Sequence, residues 1–73
     1  MVEVRHYTIR NFSEKFSDFW EGDYKAEVWK DNEGNWCTRH YKNRVWQFDI
    51  VHEGHNQTWA ENAAENYVLG VMN

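Results

Sequence analysis

From Tyr24 onward the chain alternates polar and apolar residues with a period of two, interrupted at Asp31–Gly34 and at Lys42–Asn43, and this predicts a three-stranded antiparallel meander. With Asp31 to Gly34 as a four-residue loop, Lys30 opposes Asn35 and Trp29 opposes Trp36. Tyr24, Ala26 and Val28 then share a face with Cys37, Arg39 and Tyr41. A tight turn at Lys42 and Asn43 sets His40 opposite Val45 and Cys37 opposite Phe48, and carries that face on through Trp46, Phe48 and Ile50. It is apolar and aromatic and is the expected core. The other face holds Trp29 and Trp36 among Lys25, Glu27, Thr38 and His40, a poor composition for a core and a suitable one for a contact surface.

The flanks follow other patterns. Val2 to Ile9 is rich in β-branched and aromatic residues and reads as a strand, with a slip of phase near His6. Phe12, Phe16, Phe19 and Trp20 line one side of a short helix that stops at Gly22, with Asn11 and Glu14 resembling a capping box. Thr58 and Glu61 form a second capping box, opening a helix whose stripe is Ala60, Ala63, Ala64, Tyr67 and Val71. The expectation is one α+β domain over residues 1–73, two-layered, of order β-α-β-β-β-α, with both helices on the aromatic face of the meander.

Composition narrows the function classes. A chain of 73 residues buries only roughly 60% of its unfolded surface, so its five Trp, four Tyr and four Phe must supply much of the core. Twelve acids against eight Lys and Arg give a formal charge of −4, which argues against gripping phosphate backbones. Asp18, Glu21, Asp23, Asp31 and Glu33 tilt the expectation toward a partner protein with a basic surface. A lone cysteine, Cys37, suits a reducing compartment, and the apolar stretches are too short for a signal peptide or a spanning helix. The expected location is cytoplasmic, with no membrane contact.

Cys37-x-x-His40 and His52-x-x-His55, with His6, have the look of zinc ligands. Residues three apart on a regular strand point to opposite faces, however, so Cys37 and His40 are expected neither to share an ion nor to act as nucleophile and base. With no phosphate-cradling glycine loop and no nucleophile elbow, the chain reads as non-enzymatic, without cofactor or metal. That leaves Trp29, Trp36, Lys25, Glu27, Thr38 and His40 as the candidate binding surface, since Trp is enriched at interface hot spots. The competing reading is that the two indoles only brace the hairpin or pack under the amino-terminal strand. A strand edge or shared aromatic patch also leaves room for a homodimer.

Two resemblances add to this. The order short helix, meander, terminal helix, with Gly54 upstream of Ala60-Glu-Asn-Ala63-Ala64-Glu-Asn-Tyr67-Val-Leu69, resembles the double-stranded RNA-binding domain over Asn11 to Leu69. Where that family carries a lysine cluster, this chain reads Asn56-Gln-Thr-Trp59. The strand-plus-alanine-helix style, ending Ala-Glu-Asn-Tyr-Val-Leu-Gly, is similar to small accessory proteins of tailed bacteriophages, including cyanophages; this implies modulation of a host protein in the host cytoplasm. The leading expectation is therefore a protein-binding module that modulates or inhibits a host protein. The alternative is a nucleic-acid-binding domain that stacks bases on an aromatic sheet face.

Overall fold

The computed structural model describes residues 3–70, which form a five-stranded antiparallel sheet and one helix. In chain order the elements are β1 (Glu3–His6), β2 (Glu14–Glu21), β3 (Tyr24–Lys30), β4 (Trp36–Lys42), β5 (Val45–His52) and α1 (Gln57–Val68). Across the sheet the order is β1-β5-β4-β3-β2. The expected meander exists as β3 to β5, but its register differs from the expectation by one residue, and that slip exchanges the faces.

The cause is Asp31. Its buried carboxylate accepts from the backbone N–H groups of Glu33 and Asn35, both at 2.9 Å, while Gly34 takes a φ of +84°. The loop therefore closes over five residues, 31–35, and pairs Lys30 with Trp36 and Trp29 with Cys37. The next turn also moves by one residue. Asn43 and Arg44, at φ of +52° and +67°, are its centre, so Lys42 pairs with Val45. A bulge opposite His40 and Tyr41 then absorbs Gln47, and His40 faces Phe48.

The segment expected as the first helix is strand β2. Phe16 sits at a bulge between Lys15 and Ser17, which brings Phe16 and Phe19 to the same side of the strand, so a three-residue spacing that suggested a helix arises here from an irregular strand. Pairing with β3 satisfies backbone groups that an isolated short helix would leave poorly supported. The order is thus β-β-β-β-β-α, and the helix-first order implied by the likeness to double-stranded RNA-binding domains is not what this chain has. Strand β1 is shorter than the Val2 to Ile9 segment, and Val2 and Val71 lie outside the described residues.

The cap of helix α1 lies two residues before the expected one. Asn56, with extended backbone, accepts from the Trp59 N–H at 2.9 Å, so Thr58 lies inside the first turn. Ala60, Ala64 and Val68 pack on Ala26 and Val28, with Phe19, Tyr24, Trp36 and Tyr67 around them. The helix contacts β2, β3 and β4. Strands β5 and β1 are left beside it rather than beneath it.

Strands β1 and β2 sit at opposite edges of the sheet, four interstrand gaps apart, or roughly 19 Å. Residues 7–13 must bridge this, and a chain from His6 to Glu14 reaches at most about 26 Å, so the segment runs as an almost extended strap over the face opposite α1. Beneath it the layer is polar. Arg39 donates from Nε and Nη2 to Asp49 at 2.9 and 3.0 Å, and Asp49 also accepts from Trp46 Nε1 and the Arg10 N–H. Arg39 donates back to the Arg10 carbonyl and stacks under Phe12. Burial opposes charge on Asp49, yet the donors from Arg39, Trp46 and Arg10 outweigh it and hold the carboxyl below its ordinary range. Both faces of the sheet are therefore occupied in the middle, one by a helix and one by a strap on an ion pair.

Candidate binding groove

The one-residue register change divides the expected contact surface. Lys25, Glu27 and Trp29 lie on the strap face; Trp36, Thr38 and His40 lie on the helix face. Trp29 Nε1 donates to Glu27 at 3.0 Å, and its ring meets Phe12 of the strap. Lys25 pairs with Glu27 at 3.0 Å and stands over Trp20 and Tyr41. Trp36 packs edge-on to Phe16, and Thr38 and His40 are buried. The two indoles lie on opposite faces of the sheet and form no common patch.

The same change creates another feature. Because α1 lies toward β2, β3 and β4, the strip of sheet formed by β5 and β1 remains open beside it, and a groove of about 500 Å³ runs along the junction. Its floor is the helix-facing row His40, Phe48, Ile50 and His52. Trp59, Ala63 and Tyr67 form the wall, interleaved with the amides of Asn62 and Asn66, and Glu3 and Arg5 form the rim on β1. Spacing on the helix explains the wall: residues 59, 62, 63 and 66 recur at three and four and flank the buried row of 60, 64 and 68.

Each end of the groove is organised by a histidine. At one end His40 stacks on Phe48 at 4.4 Å between centroids and meets Tyr67 edge-on, and Arg5 covers the other aromatic surface at 4.5 Å from the Phe48 centroid. His40 Nδ1 donates to the Phe48 carbonyl at 3.1 Å, and burial pushes the imidazole down to about 4, so it is neutral at neutral pH. At the other end His52 Nε2 lies 2.8 Å from Thr38 Oγ1. His52 Nδ1 lies 3.3 Å from Glu3 Oε1 but off the line of a hydrogen bond, so a nitrogen in a residue only 1% exposed has no aligned hydrogen-bond partner among the described residues. The carboxylate of Glu3 also accepts from Trp59 Nε1 at 3.0 Å, tying β1 to the first turn of α1. Burial lowers the His52 pKa as well, against the pull of Glu3.

Thr38, His52 and Glu3 stand in the order of a nucleophile, base and orienting acid. Thr38 is wholly buried in the sheet and does not line the groove, so no substrate carbonyl reaches its hydroxyl. The hydroxyl serves to satisfy the imidazole. Cys37 and His40 fall on opposite faces, and among the described residues no three His, Cys, Asp or Glu side chains cluster to hold a metal ion. Burial raises the Cys37 thiol to about 12. No helix among the described residues is long and apolar enough to cross a membrane.

Of the six residues expected to bind, only His40 reaches the groove. Glu3, Arg5, Phe48, His52, Trp59 and Tyr67 were missed. A signal for two of them exists in the sequence: Trp59 and Tyr67, with Asn62 and Asn66, form a polar and aromatic stripe beside the alanines, which a helix with both sides covered would not carry. No protein-family model, curated protein or solved structure matches the chain.

Proposed function

We propose that this chain is a non-enzymatic binding module and that its receptor is the groove between α1 and the β5–β1 strip, not the Trp29 and Trp36 face. One observation carries the reading: a 73-residue chain leaves about 500 Å³ open beside its core, lined by Phe48, Ile50, Ala63 and Tyr67 together with a few polar groups. Ligand sites have this anatomy, and a volume of roughly 300–1,000 Å³ suits a small molecule. A binding role also fits the burial of Thr38 and Cys37 and the neutral state of both floor histidines. In a modulator of a host protein, occupancy of the groove would report or set the interaction.

The nucleic-acid alternative draws little from this surface. The sequence is acidic, and the described lining of the groove offers one cation, Arg5 on the rim, rather than a basic track. The test of the binding reading is a fragment screen by amide chemical shifts in the wild type and in Ala63→Trp, where the indole fills the groove from the wall. Hits should cluster on residues 48–52, 59–67 and 3–5 and vanish in the variant. Hits that concentrate on the strap face, or that survive the filled groove unchanged, reject the assignment.

A further inference from the structure

The end of the groove beside Trp59 contains a donor set with an internal occupant. Trp59 Nε1 donates to the Glu3 carboxylate, and the same Glu3 oxygen stands 3.3 Å from the buried Nδ1 of His52 without aligning to it. The hydroxyl of Thr38 is within 2.8 Å of Nε2, and with a carboxylate facing Nδ1 the favourable tautomer has Thr38 donating to Nε2 and the proton on Nδ1. Two N–H groups, from the indole and the imidazole, therefore converge on one carboxylate oxygen. The imidazole donor is fully buried and poorly satisfied, a situation that costs about 1–3 kcal/mol in general. Glu3 is the second residue before Arg5 on the same face of β1, and its side chain is 41% exposed, so it can swing to solvent without unfolding the strand.

Resting on the groove reading above, we infer that the site takes a small planar aromatic carboxylate, whose carboxylate replaces that of Glu3 between Trp59 Nε1 and His52 Nδ1. The flat body then lies along Ile50 and Ala63 toward Tyr67, beside the Arg5 guanidinium that already covers the Phe48 ring. The complementarity is one of charge and of donor count: two donors and a nearby cation, with no acceptor aligned to His52 Nδ1 among the described residues. Glu3 is the competitor built into β1. It holds the donor pair in place when the groove is empty and must leave when it fills.

The experiment uses three probes with one ring system: 2-naphthoate, 2-naphthalenemethanol and 2-naphthylmethylammonium, titrated into wild type, Glu3→Ala and Trp59→Phe by amide shifts and calorimetry. Naphthoate should bind Glu3→Ala about tenfold tighter than wild type, because the competing charge is gone, and Trp59→Phe should weaken naphthoate several-fold and the alcohol by less, because the bond to a carboxylate is the stronger one. Trp59→Phe keeps an aromatic ring against His55, so its effect reads the lost donor rather than lost packing. Equal binding of alcohol and carboxylate in Glu3→Ala overturns the anion subsite but leaves the groove as receptor. Preference for the ammonium probe in wild type overturns it too, since Glu3 would then be a recognition group. If no probe binds in any variant, both readings fail.

Discussion

His40 and Asp49 show at the level of single residues how far burial governs this chain. The folded pKa of His40 is about 4 against an ordinary 6.5, so between those values the unfolded chain holds one more proton than the folded one. Its contribution to stability is complete above pH 6.5 and is lost as pH falls toward 4, at about 1.4 kcal/mol per unit. His52 is shifted in the same direction and adds to the slope. Urea unfolding across this window should show stability rising with pH, and His40→Gln should reduce the slope by about one proton; an unchanged slope would mean the imidazole is not neutral in the fold. Asp49 is wholly buried against Arg39. Asp49→Asn should cost about 3–5 kcal/mol because Arg39 is left uncompensated, and Arg39→Met with Asp49→Leu should recover only the part due to that unpaired charge, since Trp46 Nε1 and the Arg10 N–H lose their acceptor as well.

For the elements, the ends decide more than the interiors. The cap of α1 is Asn56, so Asn56→Ala should destabilise by about 1 kcal/mol while Thr58→Ala stays within about 0.5 kcal/mol. Thermal denaturation of the two variants distinguishes the observed cap from the capping box that Thr58 and Glu61 suggest. The β4–β5 turn places Arg44 at a φ of +67°, where glycine carries no Cβ penalty. Arg44→Gly should therefore raise stability by about 0.5 kcal/mol, or leave it level, whereas Asn43→Val should lower it.

The whole molecule depends on the strap. Residues 7–13 cross the sheet because β1 and β2 occupy its two edges, and Cys37 lies beneath that crossing with no exposure and a thiol pushed up to about 12. Alkylation of Cys37 in native buffer should be slow and should follow opening of the strap rather than chemistry of the free thiol. Phe12→Ala removes the ring that covers Arg39 and meets Trp29, and should speed labelling far more than it lowers the melting temperature. Labelling that tracks only global unfolding would show that strap and sheet open together.

The sequence by itself determined the meander, the terminal helix with its alanine stripe, and a small α+β domain, because local periodicity reports directly which backbone an element adopts. Even so, it did not determine the faces. Strand parity turns on one residue, and that residue was set by the carboxylate of Asp31 bonding two backbone N–H groups and by a bulge at Gln47, neither of which alternation reveals. Only the tertiary structure turned Phe12–Trp20 from a predicted helix into a strap end and an edge strand, since the outer side of β3 needed a partner. The groove arose in the same way: residues from β1, β4, β5 and α1 meet there because the helix sits off-centre on a five-stranded sheet, a distance relation that no stretch of the chain encodes locally.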